Sequence, residues 1–135
     1  MLRDKLLRAN LNLKGQKKVL TDTSKVKIEA VKEFLDENYI EDSTREELAA
    51  EAGMSPDHLG KMFKQYTGVK ISDYINRKRV EDAARQLRES RLKIIDIAFD
   101  VGFGSLRSFN QVFRDLMGET PSNYRKKRIG RDNEH

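Results

Sequence analysis

The sequence contains no cysteine and no tryptophan, and only two of its 135 residues are proline. Without cysteine there is no disulfide framework, no thiol nucleophile and no cysteine-ligated zinc. The scarcity of proline leaves long stretches free to form helices. No apolar run approaches the roughly 18 residues that a membrane span requires, and the first residues lack the apolar core of a signal peptide. These absences predict a cytoplasmic protein that makes no membrane contact through this segment.

Charge is abundant but unevenly placed. Apolar residues make up 37% of the chain and charged residues 36%, a balance typical of a small soluble helical protein rather than a disordered one. Residues 1–26 carry seven Lys and Arg against two Asp and Glu, residues 27–90 carry eleven against fourteen, and residues 91–135 carry nine against six. The net charge of +5 permits binding to a polyanion without establishing it.

One pattern occurs twice in the chain. Apolar and glycine positions return 49 or 50 residues later: Leu48, Ala49 and Gly53 as Ile97, Ala98 and Gly102, and Leu59, Phe63, Gly68 and Tyr74 as Phe109, Phe113, Gly118 and Tyr124. In each copy a short helix ends near a glycine and a second helix begins a few residues later at a serine. Two helices joined by such a turn form a helix-turn-helix. Repetition of caps, glycines and aromatics together makes an accidental helical bundle a poor alternative.

Local signals place the helix ends. Ser55 and Ser105 are the expected N-caps of the second helix in each copy, and Gly68 and Gly118 are the expected stops. Before the first copy, two capping-box patterns overlap, Ser43 with Glu46 and Thr44 with Glu47. Thr120 and Pro121 predict a last helix.

These signals predict an all-α fold of seven helices, in which two helix-turn-helix subdomains are joined by a long linker helix. The expected segments are an arm at 1–23, a first subdomain at 24–70, a connecting helix at 71–90, a second subdomain at 91–129 and a tail at 130–135. Within the arm, Leu2, Leu6, Leu7 and Leu11 have helical spacing and indicate either a helix stub or a frayed end. Twenty residues of connecting helix would span ~30 Å, close to the ~34 Å between successive major-groove faces of B-DNA.

Each subdomain is expected to have its own small core. The first comprises Leu48, Ala49, Ala52, Met54, Leu59, Met62 and Phe63, and the second Ile97, Ala98, Val101, Phe103, Phe109, Val112 and Phe113. Helices at 24–38 and 121–129 are expected to support the first and the second core respectively.

Over about residues 27–129 the sequence resembles the AraC/XylS family of bacterial transcription regulators. The most specific part is "IIDIAFDVGFGSLRSFNQVFRDLMGETPSNYR", and "ELAAEAGMSPDHLGKMFKQYTG" and "RVEDAARQL" also fit. The resemblance implies a DNA-binding domain with two helix-turn-helix modules, usually attached to a separate sensing or dimerisation domain. It implies structural roles for Arg79 and, at least as much as DNA contact, for Arg125.

Candidate DNA-contacting residues follow in each module. In the first, the resemblance puts Asp57, Gly60 and Lys61 at base-facing positions, and Lys64 is a candidate phosphate contact. In the second, burial of the aromatic face leaves five residues outward, Leu106, Arg107, Asn110, Gln111 and Arg114. Arginine can bind guanine O6 and N7, glutamine can pair with adenine, and leucine can touch a thymine methyl.

Phosphate anchors are expected at two kinds of position. The helix N-termini at Ser43 and Ser105 offer backbone amides, although plain N-capping explains both serines equally well. Lys126, Lys127 and Arg128 offer charge.

Other functional classes fit less well. His58 and His135 are the only histidines, and no phosphate-binding loop, zinc spacing or nucleophile elbow occurs, so no catalytic residue, metal or cofactor is expected. A helical protein-interaction module or a non-specific nucleic-acid binder is the alternative. The expected partners are double-stranded DNA and, as a further candidate, RNA polymerase, and the isolated domain is expected to be monomeric.

Overall fold

The computed structural model describes residues 19–133, with side chains described from 23 to 128. That range contains no strand and seven α-helices, α1 (Val19–Asn38), α2 (Arg45–Ala52), α3 (Pro56–Thr67), α4 (Ile71–Glu89), α5 (Ile94–Asp100), α6 (Leu106–Met117) and α7 (Pro121–Asn133). The prediction of an all-α, seven-helix fold is therefore confirmed. The four leucines of the expected arm lie outside the described residues.

Two helices are longer than expected. α1 begins at Val19, inside the segment expected as an arm, and α7 continues to Asn133, into the segment expected as a tail. Neither extension contains proline, the residue that most strongly interrupts a helix. Helix ends of this kind leave little trace in a sequence.

The expected caps define α3 and α6, the second helix of each copy. The hydroxyls of Ser55 and Ser105 accept hydrogen bonds from the amides of His58 and Ser108, each at 3.1 Å. Gly68 and Gly118 end the helices in left-handed conformations, with φ of 82° and 78°. Both helices are 12 residues long, because the same start and stop signals bound the same number of positions.

At the start of α2, only one of the two overlapping capping boxes supplies the cap. Thr44 accepts a hydrogen bond from the amide of Glu47 at 3.1 Å, and its carbonyl accepts one from Leu48 at 3.0 Å. Ser43 lies one residue before the cap, so Thr44 and not Ser43 caps the helix. The two patterns differ in register by one residue. The helix that begins after Thr44 places Leu48 and Ala49 in the core, where both are buried.

Contacts divide the described chain into two units. The first unit comprises residues 19–38 and 42–74, and the second comprises Tyr39–Glu41 and residues 75–133. α4 thus contributes residues 71–74 to the first unit and 75–89 to the second. The three residues that follow α1 belong to the second unit, and we call them the strap.

The first unit has a small core contributed by four helices. Its buried residues are Ile28, Ala30, Val31 and Leu35 of α1, Leu48, Ala49 and Ala52 of α2, Leu59 and Phe63 of α3, and Ile71 of α4. The rings of Phe63 and Tyr74 meet edge to face, with centroids 5.5 Å apart. Met54 and Met62 are only half-buried, which corrects their expected place in the core. A flexible methionine can cover the edge of a core as well as fill it.

The core of the second unit is built around a row of aromatic rings. Phe103, Phe109, Phe113 and Tyr124 follow one another at centroid distances of 5.3, 5.6 and 5.4 Å. Residues of α4 and α5, and the residue that follows α5, complete the core: Val80, Ala83, Ala84, Leu87, Ile97, Ala98 and Val101. Val112 is half-buried and packs against this core rather than within it.

Two arginines hold irregular backbone in the second unit. Arg79 donates from Nε to the carbonyl of Tyr39 at 2.6 Å and from Nη2 to that of Glu41 at 3.4 Å, which fixes the strap. Arg125 donates to the carbonyls of Leu87, Ser90 and Leu92 at 2.6–3.2 Å, which closes the turn between α4 and α5. Both guanidinium groups satisfy carbonyls that no helix satisfies.

Candidate nucleic-acid interface

α3 presents a polar face opposite its buried residues. Leu59 and Phe63 are fully buried, whereas Asp57, Lys61 and Lys64 are exposed. Lys64 is in the last turn, and the carboxylate of Asp57 lies in the first. The face therefore carries two cations and one anion along its length. The two lysines would attract a phosphate group, and the aspartate would repel it.

Gly60 interrupts that face. It is half-buried, and a Cβ built on it would lie 3.4 Å from Nη1 of Arg45, the first residue of α2. The sequence predicted Gly60 as a base-facing position, but it gave no indication that an arginine from the preceding helix would lie there. A long side chain can reach a neighbouring helix in ways that spacing along one helix does not reveal.

α6 presents a more cationic face. Phe109 and Phe113 are fully buried, and four of the five expected contact residues are exposed, Arg107, Asn110, Gln111 and Arg114. The fifth, Leu106, is half-buried and packs against the core of the second unit. Leu106 thus lies at the edge of the outward face, where the first residue of the helix also covers the core.

An open groove runs beside this face within the second unit. It is lined by Ile94 of α5, by Leu106, Arg107, Asn110, Gln111, Arg114 and Asp115 of α6, and by Thr120, Pro121 and Ser122 at the start of α7. The groove thus brings all five expected α6 residues together. Asp115 adds a negative charge that sequence reasoning missed, although its position four residues after Gln111 on the same helix was a usable signal.

The expected phosphate anchors have different surroundings. The hydroxyl of Ser105 accepts from the Ser108 amide and donates to the Ser108 hydroxyl at 3.0 Å, so capping occupies it. Lys126 is exposed. Lys127 Nζ lies 3.3 Å from Oε1 of Glu119, and Arg128 Nη1 lies 3.4 Å from Oε2 of the same carboxylate. One glutamate therefore partly neutralises two of the three candidate cations.

The guanidinium of Arg128 also lies over the ring of Tyr124, 3.9 Å from the centroid. The Tyr124 hydroxyl in turn lies 2.6 Å from Nη1 of Arg88, which donates to it. A charge stacked on a core aromatic ring is held in place, so Arg128 is less mobile than a free surface arginine.

Within residues 23–128, the shifted pKa values belong to the strap and to the part of α4 that it contacts. Burial raises the pKa of Tyr39 to about 12, and the hydrogen bond to the Asp82 carboxylate and its charge add to the rise. Burial alone would raise the pKa of Asp82, but hydrogen bonds from Tyr39, Gln86 and Arg85 and the charge of Arg85 hold it below its usual range. Opposite shifts on a donor and its acceptor stabilise the pair rather than prepare a proton transfer.

Two further observations bear on the class of site. Within residues 19–133, no group of three or more histidine, aspartate or glutamate side chains is arranged to hold a metal ion. No helix in the same range combines the length and the hydropathy needed to span a bilayer.

Comparison with known proteins identifies the family. A helix-turn-helix domain model matches residues 48–127. YesN of Bacillus subtilis, a transcriptional regulatory protein, is 44% identical over 79 residues, which are 57% of this chain and 22% of YesN. The regulatory protein SoxS of Salmonella typhimurium is 35% identical over 98 residues, which are 73% of this chain and 92% of SoxS.

A solved structure agrees with these relatives. The DNA-binding domain of the global transcriptional factor AdpA, solved in complex with a target DNA, has a TM-score of 0.74 and 28% identity over 80% of this chain and 97% of that one. The chain spans a minor or partial share of several curated relatives, 22% of YesN and 65% and 59% of two further transcription factors. The matched model, the likeness to SoxS and the shared fold agree, and this chain belongs to the AraC/XylS family of helix-turn-helix transcription regulators.

Proposed function

We propose that the chain is a sequence-specific, double-stranded DNA-binding regulator that contacts two adjacent major-groove segments, one through α3 and one through α6. The observation that carries the proposal is the duplicated unit itself. Each copy has a capped 12-residue helix whose phenylalanine side is buried and whose opposite side is polar. A helix with one face fixed on a core and the other free is the arrangement that enters a major groove.

The side chains on α6 support base recognition there. Arg107 and Gln111 are four positions apart and both exposed, so they lie on one face of the helix. A guanidinium can bind guanine and a carboxamide adenine, each through two hydrogen bonds. Asn110 and Arg114 extend the same face, and Arg114 and Lys64 are suited to phosphate.

Ser105, Lys126 and Lys127 are proposed as phosphate contacts at the edge of the second unit. The amides that begin α6 after Ser105 point away from the helix and carry the positive end of its dipole. The amides that begin α2 after Ser43 and the Thr44 cap are the corresponding proposed phosphate contact in the first unit.

The proposal extends to the context of the chain. We infer that it acts in the cytoplasm as the DNA-binding part of a larger signal-responsive protein, as its partial coverage of YesN supports, and that it is not an enzyme. RNA polymerase is the proposed second partner, since a DNA-bound regulator influences transcription most directly by contacting it. The helical interaction module remains the rival function.

Selection from a random duplex library tests the proposal. The expected result is a consensus covering roughly 15–20 base pairs in two parts, since two units engage neighbouring helical turns. Affinity should also fall steeply with salt, because each phosphate contact releases counterions. Equal affinity for single strands and duplexes, or no enriched sequence, would reject specific duplex recognition and leave the interaction module or a non-specific binder.

A further inference from the structure

The first unit lacks a side chain at the middle of its candidate interface. Gly60 lies between Asp57 and Lys61 on the polar face of α3, and it offers no hydrogen-bonding group beyond the helix backbone. A glycine inside a helix also disfavours the helix relative to alanine. Its presence there calls for a physical reason.

Arg45 supplies one. Its Nη1 atom lies 3.4 Å from the position that a Cβ on Gly60 would occupy. The guanidinium of α2 therefore lies over α3 at the point where a base-facing side chain would begin. A side chain longer than that of alanine at position 60 would have to share that space with the arginine.

The guanidinium is also available. Arg45 is exposed, and within residues 23–128 no hydrogen bond or ion pair of Arg45 is found. A planar group with five N–H donors and no partner among those residues is suited to an external acceptor.

The second copy of the repeat shows which way these positions face. By the offsets of the repeat, Arg45 corresponds to Ile94 and Gly60 corresponds to Asn110. Ile94 and Asn110 line the same groove, together with Arg107 and Gln111. In the second unit the polar member of this pair is Asn110, on α6. In the first unit the polar member is Arg45, on α2.

We propose that Arg45 is a base-contacting residue of the first unit, and that its guanidinium, lying over Gly60, donates to O6 and N7 of one guanine. The inference rests on the proposed DNA-binding function and assigns a specificity residue to it. The contact is delivered from α2 across α3, so α3 provides the surface and α2 the hydrogen-bond donors. A fork of two parallel N–H groups matches the two acceptors on guanine and no other base edge in the major groove.

Duplex selection with four chains tests the inference, using wild type, Arg45→Ala, Arg45→Lys and Arg91→Ala. Arg91 is an exposed arginine of the second unit, so its removal controls for the loss of one charge. The wild-type consensus reports on the proposed function, and the difference between Arg45→Ala and wild type reports on the inference alone. Circular dichroism of each variant confirms that the fold is retained.

Arg45→Ala is expected to erase the preference for one guanine in the half-site under the first unit and to weaken binding to the selected duplex about 10- to 100-fold. Arg45→Lys should keep more of the affinity but lose the guanine preference, because an ammonium lacks the fork. Arg91→Ala should leave every base preference unchanged. An unchanged consensus for Arg45→Ala overturns the inference, whether affinity is unaltered or falls for all sequences alike as for a phosphate contact.

Discussion

The phenol of Tyr39 donates a 2.7 Å hydrogen bond to Oδ2 of Asp82, joining the strap to α4 within the second unit. Gln86 donates to the other carboxylate oxygen at 3.2 Å and to Asp100 at 3.0 Å. Arg85 completes the cluster, with Nη2 2.7 Å from Asp82. The strap is thus held by a side-chain network as well as by the backbone contacts of Arg79.

Tyr39→Phe should lower the free energy of unfolding by about 1 kcal/mol at neutral pH, the usual cost of one lost hydrogen bond. Because the folded pKa of Tyr39 is raised to about 12, the contribution is complete below the unfolded pKa of about 10 and is lost as pH rises through the folded pKa. Urea unfolding at pH 7 and pH 11 should show the difference between the two chains shrinking at the higher pH. A difference in unfolding free energy that stays constant with pH would mean that the pKa of Tyr39 is the same in the folded and unfolded chain.

Asp82→Asn should give the complementary result on the acid side. The folded pKa of Asp82 is lowered, so its charge stabilises the fold above the usual carboxyl range, and this contribution is lost as pH falls through the folded pKa. The stability of wild type should therefore decline more than that of the variant on acidification. Parallel pH profiles of the two chains would contradict the assignment.

Arg107→Ala should cost about 1–3 kcal/mol of binding free energy and relax the preference at one guanine in the half-site under α6. Lys64→Ala should weaken binding to all sequences alike and reduce the salt slope by about one unit. Selected consensus sequences and affinities at several salt concentrations measure both. If Arg107→Ala leaves the consensus intact while Lys61→Ala removes part of it, then the first unit makes the main base contacts.

Gly102→Ala should destabilise the second unit much more than Gly118→Ala does. Both glycines have positive φ, 109° and 78°, so both alanines are strained, by about 1–2 kcal/mol. Only at Gly102 would the new Cβ also lie 2.6 Å from the carbonyl oxygen of Ile40 and 2.9 Å from Nε of Arg79, which adds about 1–3 kcal/mol of overpacking. Thermal unfolding of the two variants measures the difference. Equal losses of stability would show that the strap can move away from the new Cβ at no cost in free energy.

Glu119→Gln should raise the affinity for every duplex a few-fold and steepen the salt dependence, because it releases Lys127 and Arg128 for phosphates. Glu89→Gln is the matched control, since Glu89 is an exposed carboxylate 3.4 Å from Arg85. Titrations of the three chains at several salt concentrations give the comparison. The same gain for both variants would assign the effect to net charge alone.

Most of the fold could be predicted from short-range signals in the sequence. Ser55, Gly68 and Gly118 act on backbone within a few residues of themselves, so their roles follow from the sequence directly. The aromatic and aliphatic periodicity likewise located most of both cores. Met54 and Met62 were harder to place, because burial at the edge of a small core depends on what the neighbouring helices leave open.

The candidate site was less predictable, since its features join residues distant in sequence. The side of α6 that faces outward followed from the buried phenylalanines, but the contact of Leu106 with the core did not. The contact of Arg45 with Gly60 and the pairing of Glu119 with Arg128 depend on how one helix meets the next. Arginine reaches far enough that its partner cannot be inferred from position alone.

The strap limits where the modules of two related proteins can be joined. Its three residues lie between α1 and α2 in the chain, yet Arg79 and Asp82 of α4 hold them. A hybrid joined after residue 70 would take the strap from one parent and its binding residues from the other. Exchange of modules between relatives would therefore keep the strap bound to α4 only when residue 79 remains an arginine and the side chains at positions 39 and 82 can still form their hydrogen bond.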